Sequence, residues 1–168
     1  NLNGQFNLAV WDERTDDFYL MNDRYGLRPL HYAAHDHVLY FGPEGKAVLA
    51  GTGVRPKLNE RMVVNLFSWS RIWIGDETLF DGIRVLTPAT ILHWKQGRAR
   101  TSTYWDFPYH ASLSLDKGFI THAVSIFHRA VARQTRNAER CDVALSGGLD
   151  SRCVLSAVQQ QGNRDVQA

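Results

Sequence analysis

The sequence predicts a fold of mixed α/β and α+β class, with antiparallel hairpins first and part of a parallel sheet last. Apolar residues at 5–11 and 18–21 are separated by a polar stretch, which is the pattern of a hairpin. Apolar residues then recur at helical spacing from about residue 114 to residue 136. Near Ser146 an apolar strand runs into a Ser-Gly-Gly turn and an apolar-periodic helix, the unit from which parallel α/β sheets are built.

A second hairpin is predicted further along the chain. Residues 30–34 and 38–41 are largely apolar and flank the polar tripeptide His35-Asp36-His37. These three side chains could suggest a metal site, but a hairpin turn explains them without a further assumption. We therefore expect a turn at residues 35–37.

Two short helices are expected next. Residues 43–50 form the first, and Asn59 is suited to cap the second, which runs to about residue 69. One face of the second helix is apolar and carries Met62, Val63, Leu66 and Phe67. The large side chains of Trp69 and Trp73 are expected in the core or at a domain interface.

A third hairpin and a long helix complete the pattern before the Ser-Gly-Gly turn. Strands at residues 90–95 and 100–105 flank the polar turn Gln96-Gly97-Arg98. The helix at residues 114–136 follows, and the polar, proline-containing stretch at residues 108–112 is the best domain boundary.

Composition limits the function classes only weakly. The chain has 168 residues and a formal charge of +2, which gives no argument for a nucleic-acid partner. No apolar run approaches the roughly 20 residues that span a membrane, so no membrane partner is expected. Cys141 and Cys153 lack a metal-ligand spacing, and we expect them to be buried thiols of a cytoplasmic protein.

The most informative segment of the chain runs from Cys141 to Val158. It combines a short apolar strand, a Ser-Gly-Gly turn and a helix capped by Asp150 or Ser151. Glycine allows the backbone to approach an anion closely, and the first N–H groups of a helix point outward at the positive end of its dipole. The segment therefore predicts an anion site, of which a phosphate is the natural occupant.

This turn follows neither the Walker A pattern nor the dinucleotide fingerprint, and residues 141–158 contain no lysine. Backbone N–H groups, the hydroxyls of Ser146 and Ser151, and a metal ion would therefore neutralise the anion. Asp150 would repel a phosphate unless Mg²⁺ bridges the two or the side chain caps the helix. The alternative is a plain strand-to-helix turn, which the apolar strand before it disfavours.

Ser146-Gly-Gly-Leu-Asp-Ser151 resembles the pyrophosphate loop of the N-type ATP pyrophosphatases, in the version carried by glutamine-dependent asparagine synthetases. Other segments resemble that family in the same order along the chain, namely residues 2–12, 22–32, 41–49, 78–83 and Tyr104-Trp105. The earliest are similar to the late part of the family's glutaminase domain, and the last two to its inter-domain stretch. Each is modest alone, but their order and spacing are specific.

The resemblance implies two domains. Residues 1–107 would be the C-terminal part of an αββα N-terminal-nucleophile glutaminase domain with an inter-domain segment. Residues 112–168 would begin a doubly wound, parallel-sheet ATP pyrophosphatase domain, which needs further strands after its first helix. The chain also starts with Asn1 rather than methionine. We therefore expect the sequence to be an excerpt of a longer protein.

The resemblance also implies an ATP-dependent amide-forming ligase of the glutamine-hydrolysing asparagine synthase type. Such an enzyme activates aspartate as an acyl-adenylate and amidates it with ammonia from glutamine. ATP and Mg²⁺ are the implied cofactors, and the expected partners are small molecules: glutamine, ATP, and aspartate or another carboxylate. A homodimer is one option for its assembly.

The resemblance assigns site residues in the last part of the chain only. It assigns nucleotide binding to Ala144, Leu145, Ser146, Gly147, Gly148, Leu149, Asp150 and Ser151, and metal binding to Asp150. No catalytic residue is assigned, because the glutaminase nucleophile of the family lies upstream of Asn1.

Residues 23–29 admit two interpretations in this setting. They could line the glutaminase site or a channel, or Asp23 and Arg24 could pair and hold a Gly-Pro turn between two strands. The turn is the better interpretation, because a chain reversal needs polar anchoring.

Departures from the family pattern keep a second function class open. Arg152 stands where the family usually has a small hydroxyl residue, and Gly42-Pro43 and residues 87–89 also differ from it. Divergent relatives of the β-lactam synthetase and lasso-peptide cyclase type share the adenylating machinery but activate another carboxylate. In such a protein the glutaminase-like half would serve only as a structural or docking module.

Overall fold

Antiparallel strands dominate the first part of the chain, and two helices with a parallel strand pair make up the rest. The computed structural model describes residues 2–70, 73–109, 116–162 and 165–168. It divides into two compact units, residues 1–108 and 109–168. The elements of the first unit are β1 (Asn7–Asp12), β2 (Asp17–Asn22), β3 (His31–His35), β4 (Val38–Gly42), α1 (Gly45–Thr52), α2 (Glu60–Trp69), β5 (Trp73–Ile74), β6 (Glu77–Thr78), β7 (Arg84–Val85), β8 (Thr90–Lys95) and β9 (Arg98–Thr103). Those of the second are α3 (Lys117–Thr135), β10 (Arg140–Asp142), α4 (Leu149–Gln159) and β11 (Asp165–Gln167).

Two antiparallel sheets form the first unit. The four-stranded sheet has the order β1-β2-β8-β9, and the five-stranded sheet has the order β4-β3-β7-β6-β5. The pairing of β1 with β2, of β3 with β4 and of β8 with β9 confirms the three predicted hairpins. The two-residue strands β5, β6 and β7 were not predicted, because segments that short carry no periodicity.

The core of the first unit lies between the two sheets. Leu20 of β2 and Leu92 of β8 are almost fully buried and pack with Tyr32 of the other sheet. On the far side of the five-stranded sheet, Val48 of α1 packs against Ala33. Alternating residues of the central strands β2 and β8 therefore face a common interior, as expected for stacked antiparallel sheets, whereas every residue of the edge strand β9 is exposed.

Helix α1 differs from its predicted bounds. It starts at Gly45, continues through Gly51 and ends at Thr52, and Gly53 with a φ of 65° is its C-cap residue. Gly51 lies inside the helix and faces the ring of Tyr40, which a Cβ at this position would approach to 3.1 Å. The glycine therefore permits close packing and does not end the helix.

Helix α2 begins as predicted, but fewer of its apolar side chains are buried than expected. The side chain of Asn59 accepts a hydrogen bond from the Met62 N–H at 3.3 Å, which confirms the cap. Met62 is buried, whereas Phe67 is 84% exposed and Trp69 is 74% exposed. The expectation that Trp69 packs in the core is wrong, because α2 buries only a narrow stripe of side chains against the unit. Its packing at a domain interface stays a prediction. The side chain of Trp73 lies outside the described part.

The second unit is built around α3, α4 and a parallel strand pair. Asp116 caps α3 through a 2.8 Å bond from the Phe119 N–H, and the predicted start at residue 114 lies outside the described residues. Strand β10 pairs with β11 in parallel, and the two helices pack through Val131 and Val158.

The described residues form a mixed α/β structure with several sheets, which is compatible with the glutaminase domain that the resemblance implies. No helix in the described ranges is both long and apolar enough to cross a membrane. The assignment of residues 112–168 to an ATP pyrophosphatase domain stays a prediction.

Candidate functional site

The sequence predicts a strand at residues 142–145 before the glycine turn, and the strand that forms has three residues and ends earlier. Strand β10 ends at Asp142, and one further hydrogen bond joins the Val143 N–H to the carbonyl of Gln167 at 2.9 Å. Ala144 and Leu145 therefore lie in the loop and not at a strand end. Its partner strand β11 covers Asp165–Gln167.

Glycine is required at the turn for backbone conformation. Gly147 has a φ of +80°, and a Cβ built on it meets no atom within 4 Å. Gly148 has extended backbone angles, and a Cβ on it would lie 3.3 Å from the hydroxyl oxygen of Ser146. The space outside Gly147 is therefore open to a ligand.

Two serine hydroxyls close the turn from both ends. The Ser146 N–H donates to Oγ of Ser151 at 3.3 Å, and the Gly148 N–H donates to Oγ of Ser146 at 3.4 Å. The two hydroxyl oxygens lie 3.3 Å apart, and the Ser151 hydroxyl donates to the Gly148 carbonyl at 3.3 Å. All four contacts are longer than the usual 2.7–3.2 Å, so the turn is held loosely.

The first turn of α4 is not capped by a side chain. Gly148 is the N-cap residue, so Leu149 and Asp150 are the first and second helical residues. The expectation that Asp150 or Ser151 caps the helix is wrong, because the N-cap residue Gly148 lies two residues before Asp150 and three before Ser151. The uncapped N–H groups retain the partial positive charge of a helix N-terminus.

The structure thus joins some of the predicted site residues by hydrogen bonds and leaves others apart. Ser146, Gly148 and Ser151 share one network, which encloses Gly147. Leu145 is 46% exposed and Leu149 is 67% exposed.

An apolar cavity of about 480 Å³ lies beside the loop within the second unit. It is lined mainly by α3, the strand end and α4, including Phe127, Val131, Val143, Ala144, Ser151 and Val154. Sequence reasoning missed the contribution of α3. Its apolar periodicity was visible, but periodicity alone does not distinguish a cavity wall from ordinary core.

Asp150 is the acidic residue that suits a metal ion at this loop. It is exposed in the first turn of α4, whereas Asp142 bonds to Arg140 at 3.2 Å. Across the described residues no group of three or more His, Cys, Asp or Glu side chains could hold a metal by itself. A single carboxylate fits Mg²⁺, which proteins often hold through one or two carboxylates together with substrate phosphates.

The segment at residues 23–29 is a turn, but its anchor differs from the predicted pair. Asp23 is buried, and its carboxylate accepts hydrogen bonds from the N–H groups of Phe6 at 3.2 Å and Tyr25 at 3.0 Å. The guanidinium of Arg24 instead lies 5.5 Å from the ring centre of Trp105. Asp23 is satisfied by these backbone donors, and the neighbouring arginine contacts the Trp105 ring instead.

The two cysteines are both free thiols, but they are not both buried. Cys141 is half-buried, whereas Cys153 is exposed on α4. The prediction of a buried thiol at Cys153 is therefore wrong, because this residue lies on the face of α4 away from Val158.

Comparison with known proteins decides the family. The sequence model described as the glutamine amidotransferase domain matches residues 1–105, which is more than half of the chain. The chain belongs to this family.

Three relatives show how far the similarity extends. Asparagine synthetase [glutamine-hydrolyzing] 3 of Bacillus subtilis is 28% identical over 156 residues, which cover 93% of this chain and 25% of the relative. Amidase chry2 of Gibberella zeae is 28% identical over 163 residues, which cover 94% of this chain and 24% of the relative. Putative asparagine synthetase [glutamine-hydrolyzing] 2 of Methanocaldococcus jannaschii is 22% identical over 161 residues, which cover 94% of this chain and 31% of the relative. The chain spans about a quarter to a third of the length of these relatives.

Proposed function

We propose that this chain is part of a glutamine-dependent amidotransferase whose loop at residues 144–151 binds the phosphates of ATP. The complete protein would activate aspartate as an acyl-adenylate and amidate it with ammonia from glutamine. Membership of the glutamine amidotransferase domain family supports the first half of this function. The relatives named as glutamine-hydrolysing asparagine synthetases support the second, because their similarity extends over 93% and 90% of this chain.

The loosely held loop is the observation that carries the nucleotide proposal. Its internal contacts measure 3.3–3.4 Å, so phosphate oxygens at shorter distances could replace them at little cost. The N–H groups of Ser146 and Gly148 would then turn from the serine hydroxyls to the phosphate. The uncapped start of α4 would add its partial positive charge.

The loop suits a reaction in which pyrophosphate leaves. If it holds the β- and γ-phosphates, a carboxylate oxygen attacks the α-phosphorus and the bond to the bridging oxygen of pyrophosphate breaks. The backbone N–H groups would stabilise the charge that grows on the departing pyrophosphate. Ammonia then attacks the acyl carbon and AMP leaves. Asp150 is the residue that would hold Mg²⁺, which supplies charge neutralisation when it is bound.

A second candidate function follows from the departures of Arg152, Gly42-Pro43 and residues 87–89 from the family pattern, and two relatives are named amidases and not asparagine synthetases. In this alternative the loop activates a different carboxylate, and the amidotransferase-like unit has a structural or docking role only. The residue after the initiator methionine of the full-length protein distinguishes the two. A cysteine there favours glutamine hydrolysis, and any other residue favours the alternative.

ATP–pyrophosphate exchange by the full-length protein tests the proposal. We expect Gly147→Ala to lower the exchange rate by roughly 100-fold, since its Cβ would occupy the open space where phosphate must approach the backbone. Asp150→Asn should lower the rate at least roughly tenfold with little change in melting temperature.

Gly162→Ala is the matched control for Gly147→Ala. Gly162 also has a positive φ, +63°, with no atom within 4 Å of its Cβ position, but it follows the C-terminal end of α4. The control should keep full exchange despite a similar backbone strain. Normal exchange in both Gly147→Ala and Asp150→Asn would refute the assignment of the site.

A further inference from the structure

Arg152 is the residue near the loop that the proposed function leaves without a role. It is the fourth helical residue of α4, in a position where the resembled family usually has a small hydroxyl residue. Its side chain folds back along the helix, and its Nε donates a hydrogen bond to the carbonyl of Gly148 at 3.2 Å. The guanidinium is therefore held beside the glycine turn.

This position is electrostatically unfavourable for a cation on its own. The N-terminal end of a helix carries partial positive charge, which favours acidic side chains in the first turn and disfavours arginine there. The ion pairs among the described residues do not include Arg152. A bound anion would reverse the sign of this interaction.

The guanidinium has the geometry to bind such an anion. The bond to Gly148 uses the Nε–H, so the N–H groups of the two terminal nitrogens remain available in one plane. Two parallel N–H donors match two oxygens of a phosphate group, which a lysine ammonium cannot do. The Gly148 carbonyl thus orients a bidentate phosphate donor.

We propose that Arg152 binds the pyrophosphate part of the nucleotide, so that this loop carries a cation of its own on the helix that follows it. The inference rests on the proposed function, since it needs phosphate in the loop. Arg152 would contact oxygens of the β- or γ-phosphate. It would hold pyrophosphate after the bond between the α-phosphorus and the bridging oxygen has broken. It would not contact AMP.

Binding of inorganic pyrophosphate and of AMP to the full-length protein, both with magnesium chloride present, tests this role. We expect Arg152→Ser to weaken pyrophosphate binding about tenfold or more, which is the contribution of one charge-assisted hydrogen bond. AMP binding and the melting temperature should not change. Arg152→Lys should recover part of the affinity, because it keeps the charge and loses the planar fork.

Arg133→Ser is the control, because Arg133 is an exposed arginine on α3. It should bind pyrophosphate as the unchanged protein does. Equal pyrophosphate affinity in Arg152→Ser and the unchanged protein would overturn the role of Arg152 and leave the proposed function intact. Failure of the unchanged protein to bind ATP or pyrophosphate would overturn both. A lower melting temperature in Arg152→Ser and Arg152→Gln with unaltered pyrophosphate affinity would mean that Arg152 only supports the helix.

Discussion

Asp17 connects strands β2 and β8 on the outer face of the four-stranded sheet. One oxygen of its carboxylate lies 2.6 Å from Nε2 of His93, and the other lies 3.0 Å from Nζ of Lys95. The ring of His93 also stacks on Tyr19, with 4.8 Å between the ring centres. Hydrogen bonds from Thr15, His93 and Lys95 hold the pKa of Asp17 well below its ordinary value.

This lowered pKa predicts a pH-dependent contribution to stability. The ionised carboxylate stabilises the folded state above the ordinary Asp pKa of about 4, and the stabilisation is lost as the pH falls towards the lower folded-state value. We expect Asp17→Asn to lower the melting temperature near pH 7, and the difference from the unchanged protein to shrink below about pH 4.

Thermal unfolding at several pH values checks this expectation. Asp12→Asn is the comparison, because Asp12 pairs with Arg14 at 3.3 Å and the Arg14 side chain is 89% exposed. Surface pairs contribute little, so this variant should hardly change the melting temperature at any pH. A difference for Asp17→Asn that stayed constant down to about pH 3 would contradict the assigned role of the carboxylate.

At the scale of elements, two hairpin turns determine where the strands end. Asp36 and His37 have φ values of 48° and 60°, and Gln96 and Gly97 have values of 49° and 75°. Two consecutive residues with positive φ form the tight turn that matches the twist of a hairpin. The second strand of the third hairpin therefore starts at Arg98 and not at residue 100 as the sequence predicted.

These two turns also contact each other. A Cβ on Gly97 would lie 2.5 Å from Nδ1 of His37, which is closer than packed atoms can approach. We expect Gly97→Ala to destabilise the protein by about 1–2 kcal/mol because of the left-handed backbone. Displacement of the histidine ring should add a further loss of stability. Denaturant unfolding measures the sum.

Gly82→Ala separates the two contributions to this loss. Gly82 has a φ of 76°, close to that of Gly97, but no atom lies within 4 Å of its Cβ position. It should show the backbone cost alone, and the double variant Gly97→Ala with His37→Ala should lose less stability than Gly97→Ala. Equal losses at Gly82 and Gly97 would mean that the histidine ring moves aside freely.

At the scale of the whole molecule, large apolar side chains of each unit are exposed to solvent. Val64 and Phe67 of α2 are 63% and 84% exposed, and Ile120 and Val124 of α3 are 55% and 50% exposed. Contiguous exposed apolar surface usually marks a place where another surface packs. The relatives are three to four times longer than this chain, so a longer polypeptide could supply that surface.

A polypeptide of residues 1–168 expressed alone should therefore bind a hydrophobic dye or aggregate, and it should neither hydrolyse glutamine nor form an acyl-adenylate. Dye fluorescence and light scattering measure the first expectation, with the full-length protein as the control. A cooperative melt without dye binding, together with ATP-dependent ligation by this polypeptide, would contradict it.

Local chemistry explains what could be predicted without the structure. The three hairpins, the Asn59 cap and the strand, glycine turn and helix around Ser146 follow from apolar periodicity and from polar or glycine residues at the turns. These signals act over a few neighbouring residues, so they can be recognised in the sequence. The resemblance of residues 2–12 and 22–32 to the glutaminase domain lies within the matched range 1–105.

Tertiary contacts decided the features that no local pattern contains. Four strands have only two or three residues each, namely β5, β6, β7 and β11. Strands this short form only by hydrogen bonding to a neighbouring strand. The backbone anchoring of Asp23 depends on Phe6, which is distant in sequence. The sequence by itself determined the hairpins and the glycine turn, because their signals are short-range. Only the tertiary structure decided the extent of the strands and the surroundings of the loop, because these depend on residues that meet through folding.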